Sequence, residues 1–146
     1  MRKNKILSLI SILIVIIFVS NNCSYFQKSS KISPIYEDIT PEESFRLIQQ
    51  HLSDEDFVIL DVRTAEEIDK GYITNSKFID FKSNNFIKEI SKLDKSKIYL
   101  IYCKVGGRSE EAMQIMGKMG FAYLYNMLGG FDEWKELEFP YVNFWE

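Results

Sequence analysis

"IYLIYCKVGGRSEEAMQIMGKMG", residues 98–120, joins the patterns of a strand, a tight loop and a helix. An apolar run ends at Cys103, two glycines and an arginine follow, and a helical segment opens near Ser109 and stops at Gly120. Parallel sheets are built from strands that pass through short loops into helices. The stretch therefore predicts an α/β protein with Cys103 at the carboxyl end of a strand.

The rest of the chain repeats this alternation. Four short apolar runs are typical of strands, at residues 57–62, 77–81, 97–103 and 121–126. Helices are predicted from residue 41 to about residue 51, after Thr64, after Ser83, and between residues 128 and 140. Thr40 with Glu43, and Thr64 with Glu67, have the spacing of a capping box. We expect a mostly parallel sheet that binds ligands at the carboxyl ends of its strands.

Residues 1–22 have the pattern of an export signal. Three basic residues precede an apolar run of 14 residues at 6–19, which is shorter than the roughly 20 that span a bilayer. "VSNNCS" resembles a bacterial lipoprotein box, which predicts lipidation of Cys23. An uncleaved signal anchor and an ordinary secretory peptide are the alternatives. Residues 23–34 are predicted to be a tether and residues 35–146 the domain, in an extracytoplasmic, membrane-anchored protein.

The composition excludes several classes of function. Removal of residues 1–22 would change the formal net charge from −3 to −6, and no basic arm would remain to bind nucleic acid. Cys23 and Cys103 are too few for a disulfide framework, and with one histidine, His51, they do not make a zinc site. We therefore expect no metal and no cofactor. Because His51 ends a predicted helix, Cys103 has no obvious histidine base.

The loop after Cys103 has the composition of an anion cradle. Gly106 and Gly107 allow positive φ angles, so that successive amides can point at the sulfur. Lys104 and Arg108 add positive charge, and the next helix begins with the positive end of its dipole. These features favour a reactive thiolate. The alternative is a cysteine buried as a small apolar residue, which would need neither the glycines nor the charges.

Three motifs, in order along residues 35–141, resemble the rhodanese-like sulfurtransferase domain. They are "LDVRTAEEIDKGYI" at 60–73, "CKVGGRS" at 103–109 and "LGGFDEWK" at 128–135. The resemblance implies a three-layer α/β sandwich, in which a five-stranded, mostly parallel sheet has helices on both faces. The chain departs from the family at Tyr72, where a histidine is frequent.

The resemblance also implies a mechanism. Cys103 would take sulfur from a donor such as thiosulfate, hold it as a persulfide and pass it to a thiol or cyanide. The residues that would bind substrate are Lys104, Val105, Gly106, Gly107, Arg108, Ser109 and Arg63. Arg108 would hold the negative charge of the donor. For Arg63 and Asp61, structural pairing with neighbours such as Glu67 is the alternative. The expected partners are small molecules and the membrane, with no nucleic acid, and the protein is expected to be a monomer.

Two other functions compete with sulfur transfer. A phosphatase or arsenate reductase of the same fold has a loop one residue longer, and the six residues from Cys103 to Arg108 favour sulfur instead. The other is a module that binds an anion or a partner protein without turnover. The intact Cys103 argues against it, because inactive relatives commonly lose this residue.

Overall fold

The computed structural model of the protein describes residues 33–143. The signal peptide predicted at residues 1–22, Cys23 and most of the predicted tether lie outside the described residues, as do the last three residues of the chain. The statements about them therefore stay predictions. Within the described range, no helix is both long enough and apolar enough to cross a membrane.

Strands and helices alternate along the chain. The strands are β1 (Ile35–Ile39), β2 (Phe57–Asp61), β3 (Lys77–Phe78), β4 (Ile98–Tyr102) and β5 (Tyr123–Met127). The helices are α1 (Pro41–Gln50), α2 (Ala65–Ile68), α3 (Phe86–Ile90), α4 (Gly107–Lys118) and α5 (Gly130–Glu136). The strands form one sheet in the order β1-β5-β4-β2-β3, and each pair of neighbours is parallel. The predicted five-stranded α/β fold is confirmed.

β1 is the strand that the sequence patterns did not indicate. Four of its five residues are exposed, because it forms one edge of the sheet, and it therefore has neither an apolar run nor a clear alternation. It is attached through its backbone pairing with β5 and through a hydrogen bond of 2.8 Å from Asn126 Nδ2 to Asp38 Oδ1. Charged side chains on such an edge disfavour pairing with a second chain.

The sheet separates two apolar cores. Tyr99 and Ile101 of β4 belong to one core and Leu100 and Tyr102 to the other, since successive side chains of a strand point to opposite faces. Side chains of α3 and α4 complete the first core, and side chains of α1 and α5 complete the second. The prediction of helices on both faces is thus confirmed.

The order of the strands determines where a ligand can bind. From β2 the chain goes outward to β3, returns to β4 and then continues in the opposite direction to β5, so a switch point lies between β2 and β4. Ligands of open parallel sheets bind at the carboxyl edge near such a point. Cys103 lies there, directly after β4.

Candidate functional site

Cys103 is surrounded by hydrogen-bond donors of the loop between β4 and α4. Its Sγ accepts a hydrogen bond of 3.2 Å from the Gly106 amide. The Ser109 hydroxyl lies 3.6 Å from the sulfur and 2.8 Å from the Gly106 carbonyl, so its one proton is shared between these two acceptors. The amides of Val105 and Ser109 also lie near enough to the sulfur to lower its pKa. With 1% of its surface exposed, Cys103 is as buried as a core thiol. The hydrogen-bond donors around its sulfur distinguish Cys103 from an ordinary core cysteine, because a thiol that only fills space does not require such donors.

Two opposed effects set the protonation of this thiol. Burial by itself raises the pKa of Cys103, whereas the Ser109 hydroxyl and the amides of Ser109, Val105 and Gly106 lower it. The donors outweigh burial, so the pKa of Cys103 lies below its ordinary value. A larger fraction of the cysteine is therefore thiolate, the nucleophilic form, at neutral pH.

Replacing Ser109 by alanine should raise the pKa of Cys103, because it removes the donor with the largest lowering effect. We expect alkylation by iodoacetamide at pH 7 to become several-fold slower and its pH profile to move to higher pH. Ser91→Ala is the matched control, because the Ser91 hydroxyl donates to a backbone carbonyl of α3. An unchanged profile for Ser109→Ala would contradict the assigned role.

The two glycines of the loop have different roles. Gly106 has a φ of +98°, and a Cβ added to it would lie 3.4 Å from the amide nitrogen of Gly129. Gly107 is the first residue of α4, its φ is not positive, and an added Cβ would meet nothing within 4 Å. The prediction of positive φ angles is therefore right for Gly106 and wrong for Gly107. α4 begins two residues before the predicted position because Gly107 and Arg108 already have helical backbone.

The start of α5 holds the cysteine loop from the other side. The amides of Phe131 and Asp132 donate to the carbonyls of Cys103 and Lys104, at 2.8 and 3.0 Å. Gly130 allows this approach, because a Cβ there would lie 2.5 Å from the carbonyl carbon of Lys104. The motif at residues 128–135 is thus an anchor of the loop. Sequence patterns did not indicate this role, and the adjacent glycines of the motif were the available signal.

Arg108 is paired with Glu67. Its Nη1 and Nη2 donate to the two carboxylate oxygens at 2.8 and 2.7 Å, and Glu67 Oε2 also accepts from the amide and hydroxyl of Thr64. The hydrogen bond from Arg108, with further help from Thr64, lowers the pKa of Glu67 to about 2 despite partial burial. The sequence predicts that Arg108 binds the anionic sulfur donor. Such an anion would compete with the Glu67 carboxylate for the guanidinium of Arg108. This partner of Arg108 was missed in the sequence.

Replacing Glu67 by glutamine should destabilise the protein by about 1–2 kcal/mol at pH 7, where a partly exposed pair is lost. The folded-state pKa of Glu67 is depressed, so its stabilisation is present above the unfolded pKa of about 4.3 and is lost as the pH falls through about 2. Urea unfolding at pH 7 and pH 2.5 would measure this.

Glu111→Gln is the control for this measurement, since Glu111 is exposed on α4 and has no ion pair among the described residues. We expect the difference between parent and Glu67→Gln to shrink at pH 2.5. An equal difference at the two pH values would show that the ionised pair is not its source.

Arg63 has the surroundings expected for a structural pair. Its side chain is 2% exposed, its Nε and Nη2 donate to the Asp61 carboxylate at 2.6–3.0 Å, and its guanidinium lies 4.0 Å above the centre of the Phe131 ring. The carboxylate in this pair is Asp61, whereas Glu67 supplies only its backbone carbonyl, at 3.3 Å. Arg63 lines the same pocket as Lys104, and substrate contact by Arg63 stays a prediction.

This pocket opens beside the cysteine loop and has a volume of about 560 Å³. Three lysines, three acids, one arginine and one phenylalanine line it: Lys70, Lys104, Lys135, Glu67, Asp132, Glu136, Arg63 and Phe131. Lys104 and Lys135 both lie 3.9 Å from Asp132, and Lys70 has no ion pair among residues 33–143. Asp61 compensates Arg63, and Arg108 compensates Glu67. The three lysines then outnumber the two remaining acids by one charge, and the pocket suits a small anion. The described part of the chain contains no cluster of three or more side chains arranged to hold a metal ion.

Fold and loop together define a class, an α/β protein that presents a thiolate in a cradle of amides at the carboxyl edge of a parallel sheet. The family model of the rhodanese-like domain matches residues 44–137, and the chain belongs to this family.

Relatives with assigned names agree with this membership. The chain is 31% identical over 101 residues to the thiosulfate sulfurtransferase GlpE of Coxiella burnetii. The aligned residues cover 69% of this chain and 89% of that protein. Among solved structures, it resembles a rhodanese-like domain protein from Staphylococcus aureus, with a TM-score of 0.57, 32% identity, and coverage of 67% and 90%. It also resembles a rhodanese-related protein from Thermoplasma volcanium, with a TM-score of 0.61, 25% identity, and coverage of 73% and 98%. The match thus spans almost the whole length of both solved chains.

Proposed function

We propose that the protein is a sulfurtransferase that carries sulfane sulfur on Cys103, from a small-molecule donor such as thiosulfate to a thiophilic acceptor. The observation that carries the proposal is the set of donors around Cys103 Sγ, from Gly106, Ser109 and Val105. Such a cradle stabilises a negative sulfur without a histidine base. With Glu67 paired to Arg108, the pocket beside it has one more lysine than acid, which favours an anionic donor.

The proposed reaction has two steps. The Cys103 thiolate attacks the outer sulfur of thiosulfate, the S–S bond of the donor breaks, and sulfite leaves with the bonding electron pair. The new persulfide is anionic, and the loop amides that held the thiolate now face its sulfur atoms. An acceptor such as cyanide or a thiolate then attacks the outer sulfur, and Cys103 leaves as thiolate. The first step oxidises Cys103 from thiolate to persulfide and the second reduces it back, so the full cycle moves one sulfur atom and leaves the enzyme unchanged.

The acceptor in this scheme comes from another molecule. Cys103 is the one cysteine among the described residues, so the folded domain has no second thiol that could receive the sulfur. The other cysteine of the chain, Cys23, lies in the predicted lipid attachment site. A diffusible thiol or cyanide is therefore the proposed acceptor.

We further propose that the domain is a monomer outside the cytoplasm, attached to the membrane by a lipid on Cys23. The support is in the sequence: a basic start, the apolar run at residues 6–19 and the "VSNNCS" box. The full chain, expressed in a bacterium, should take up radiolabelled palmitate and sediment with membranes. Cys23→Ser should lose the label, and a variant that keeps it would refute attachment at this residue.

The chemistry is tested by mass spectrometry of the intact protein. Residues 24–146 contain every described residue and Cys103 as the only cysteine. After incubation with thiosulfate, this protein should gain the mass of one sulfur atom, and cyanide should remove it and yield thiocyanate. Cys103→Ser should gain nothing.

Absence of the mass gain, with thiosulfate and with other sulfane donors such as polysulfide, would refute sulfur transfer. Hydrolysis of a phosphate ester by the same protein would then support the phosphatase alternative. If the protein had neither activity but an added anion raised its unfolding temperature, the result would support the binding module.

A further inference from the structure

A second cavity, of about 310 Å³, lies in the layer that α1 and α5 form over the sheet. It shares no lining residue with the pocket beside the cysteine loop. Its apolar wall includes Phe45 and Ile48 of α1, Phe57 and Ile59 of β2, and Trp134 of α5. Its polar lining residues are Gln49, His51, Asp54, Thr74 and Asn75. Cavities of this size and lining are typical of sites for small organic molecules.

One side chain gives this cavity a directed polar group. His51 lines it, and His51 Nδ1 lies 2.7 Å from Asp54 Oδ2. The imidazole also stacks on the ring of Phe57, with centroids 4.9 Å apart and planes 16° from parallel, so its orientation is set on two sides. The hydrogen bond from His51 lowers the pKa of Asp54. The Asp54 carboxylate is therefore ionised, and it accepts a hydrogen bond from the N–H group at Nδ1. Nε2 has no hydrogen-bond partner among the described residues, and it can pair with a hydroxyl as an acceptor in the neutral ring or as a donor in the charged ring.

Charge narrows the class of ligand. No lysine or arginine lines the cavity, so an anionic ligand would have no counter-charge there and would face the Asp54 carboxylate. A cationic ligand would find that carboxylate already bound by His51. The remaining lining residues are apolar or neutral, which favours an uncharged molecule.

We propose that this cavity is a binding site for a small neutral molecule with one ring and one hydroxyl group. The ring packs against the partly exposed side chains of Phe45, Ile48 and Phe57, and the hydroxyl forms a hydrogen bond with His51 Nε2. The volume, at the lower end for ligand sites, accommodates one ring and not a larger polycyclic body. The site is separate from Cys103, so the inference does not depend on sulfur transfer.

Three probes with the same ring test the chemistry: p-cresol, toluene and p-toluate. They are titrated into ¹⁵N-labelled protein comprising residues 24–146, and the indole N–H of Trp134 is followed by NMR. This group reports directly on the cavity, because it donates to the carbonyl of Pro140 at 3.1 Å and both residues line the wall. Trp145→Phe, in the same protein, leaves this indole as the only one in the chain.

We expect saturable shifts with p-cresol and weaker binding of p-toluate. Absence of saturable shifts up to the solubility limit of p-cresol would overturn the proposal. So would binding of p-toluate as tight as that of p-cresol, because the charge argument would then be wrong.

Two variants locate the contact. His51→Phe keeps a ring against Phe57 but removes both nitrogens, so the affinity for p-cresol should fall about 5-fold while that for toluene is unchanged. Thr74→Phe adds a bulky side chain at an exposed lining position and should weaken both ligands. Thermal unfolding verifies that each variant is folded. A folded His51→Phe variant with the parent preference for p-cresol over toluene would overturn the role of His51.

Discussion

Replacing Cys103 by serine in residues 24–146 is expected to lower the transfer of sulfur from thiosulfate to cyanide by at least about 1000-fold, because this stretch has no second thiol to carry the sulfur. A serine hydroxyl remains protonated at neutral pH, and its oxygen does not form a persulfide. The protein should stay folded, since serine is close in size to cysteine and its oxygen can accept from the Gly106 amide and the Ser109 hydroxyl. Thiocyanate formation, measured with ferric ion, gives the rate.

Two measurements make this result specific. The thermal unfolding temperature of Cys103→Ser should be close to that of the parent, which separates loss of the nucleophile from loss of the fold. Cys103→Ser should also release no sulfite, because the first step, like thiocyanate formation, requires the Cys103 thiolate. A variant that still forms thiocyanate at a tenth of the parent rate would place the sulfur carrier elsewhere and refute the persulfide on Cys103.

The sequence was informative where structure depends on neighbours in the chain. The apolar run of β4 and the loop from Cys103 to Ser109 lie within one stretch, so the strand, the thiol and its donors were predictable together. Thr40 and Glu43 satisfy each other's backbone amides across one helical turn, and this capping box forms as predicted. Such features depend on spacing alone.

Contacts between distant segments were not predictable in this way. Arg108 and Glu67 are 41 positions apart, and nothing in either motif shows that Glu67 would face this arginine and not Arg63. The anchor of the loop by α5 uses backbone amides, which every residue has, so the adjacent glycines of its motif are the only trace of it in the sequence. β1 was missed for a related reason, because an exposed edge strand does not need an apolar pattern.

Replacing Gly130 by alanine is expected to destabilise the protein by about 2–5 kcal/mol and to lower sulfur transfer at least 10-fold. Two costs combine. The residue has a φ of +61°, which strains any residue with a side chain, and the new Cβ would lie 2.5 Å from the backbone of Lys104. Relief of this contact requires α5 to withdraw from the loop, which breaks the bonds from Phe131 and Asp132 to the Cys103 and Lys104 carbonyls.

Gly120→Ala separates the two costs. Gly120 also has a positive φ, of +90°, but a Cβ there meets nothing within 4 Å, and the residue lies at the end of α4 away from the thiol. This variant should lose about 1–2 kcal/mol from strain alone and keep its activity. Urea unfolding and thiocyanate formation are measured for both variants. If Gly130→Ala lost no more stability than Gly120→Ala and transferred sulfur at the parent rate, the close approach of α5 would not be what holds the Cys103 loop in its reactive shape.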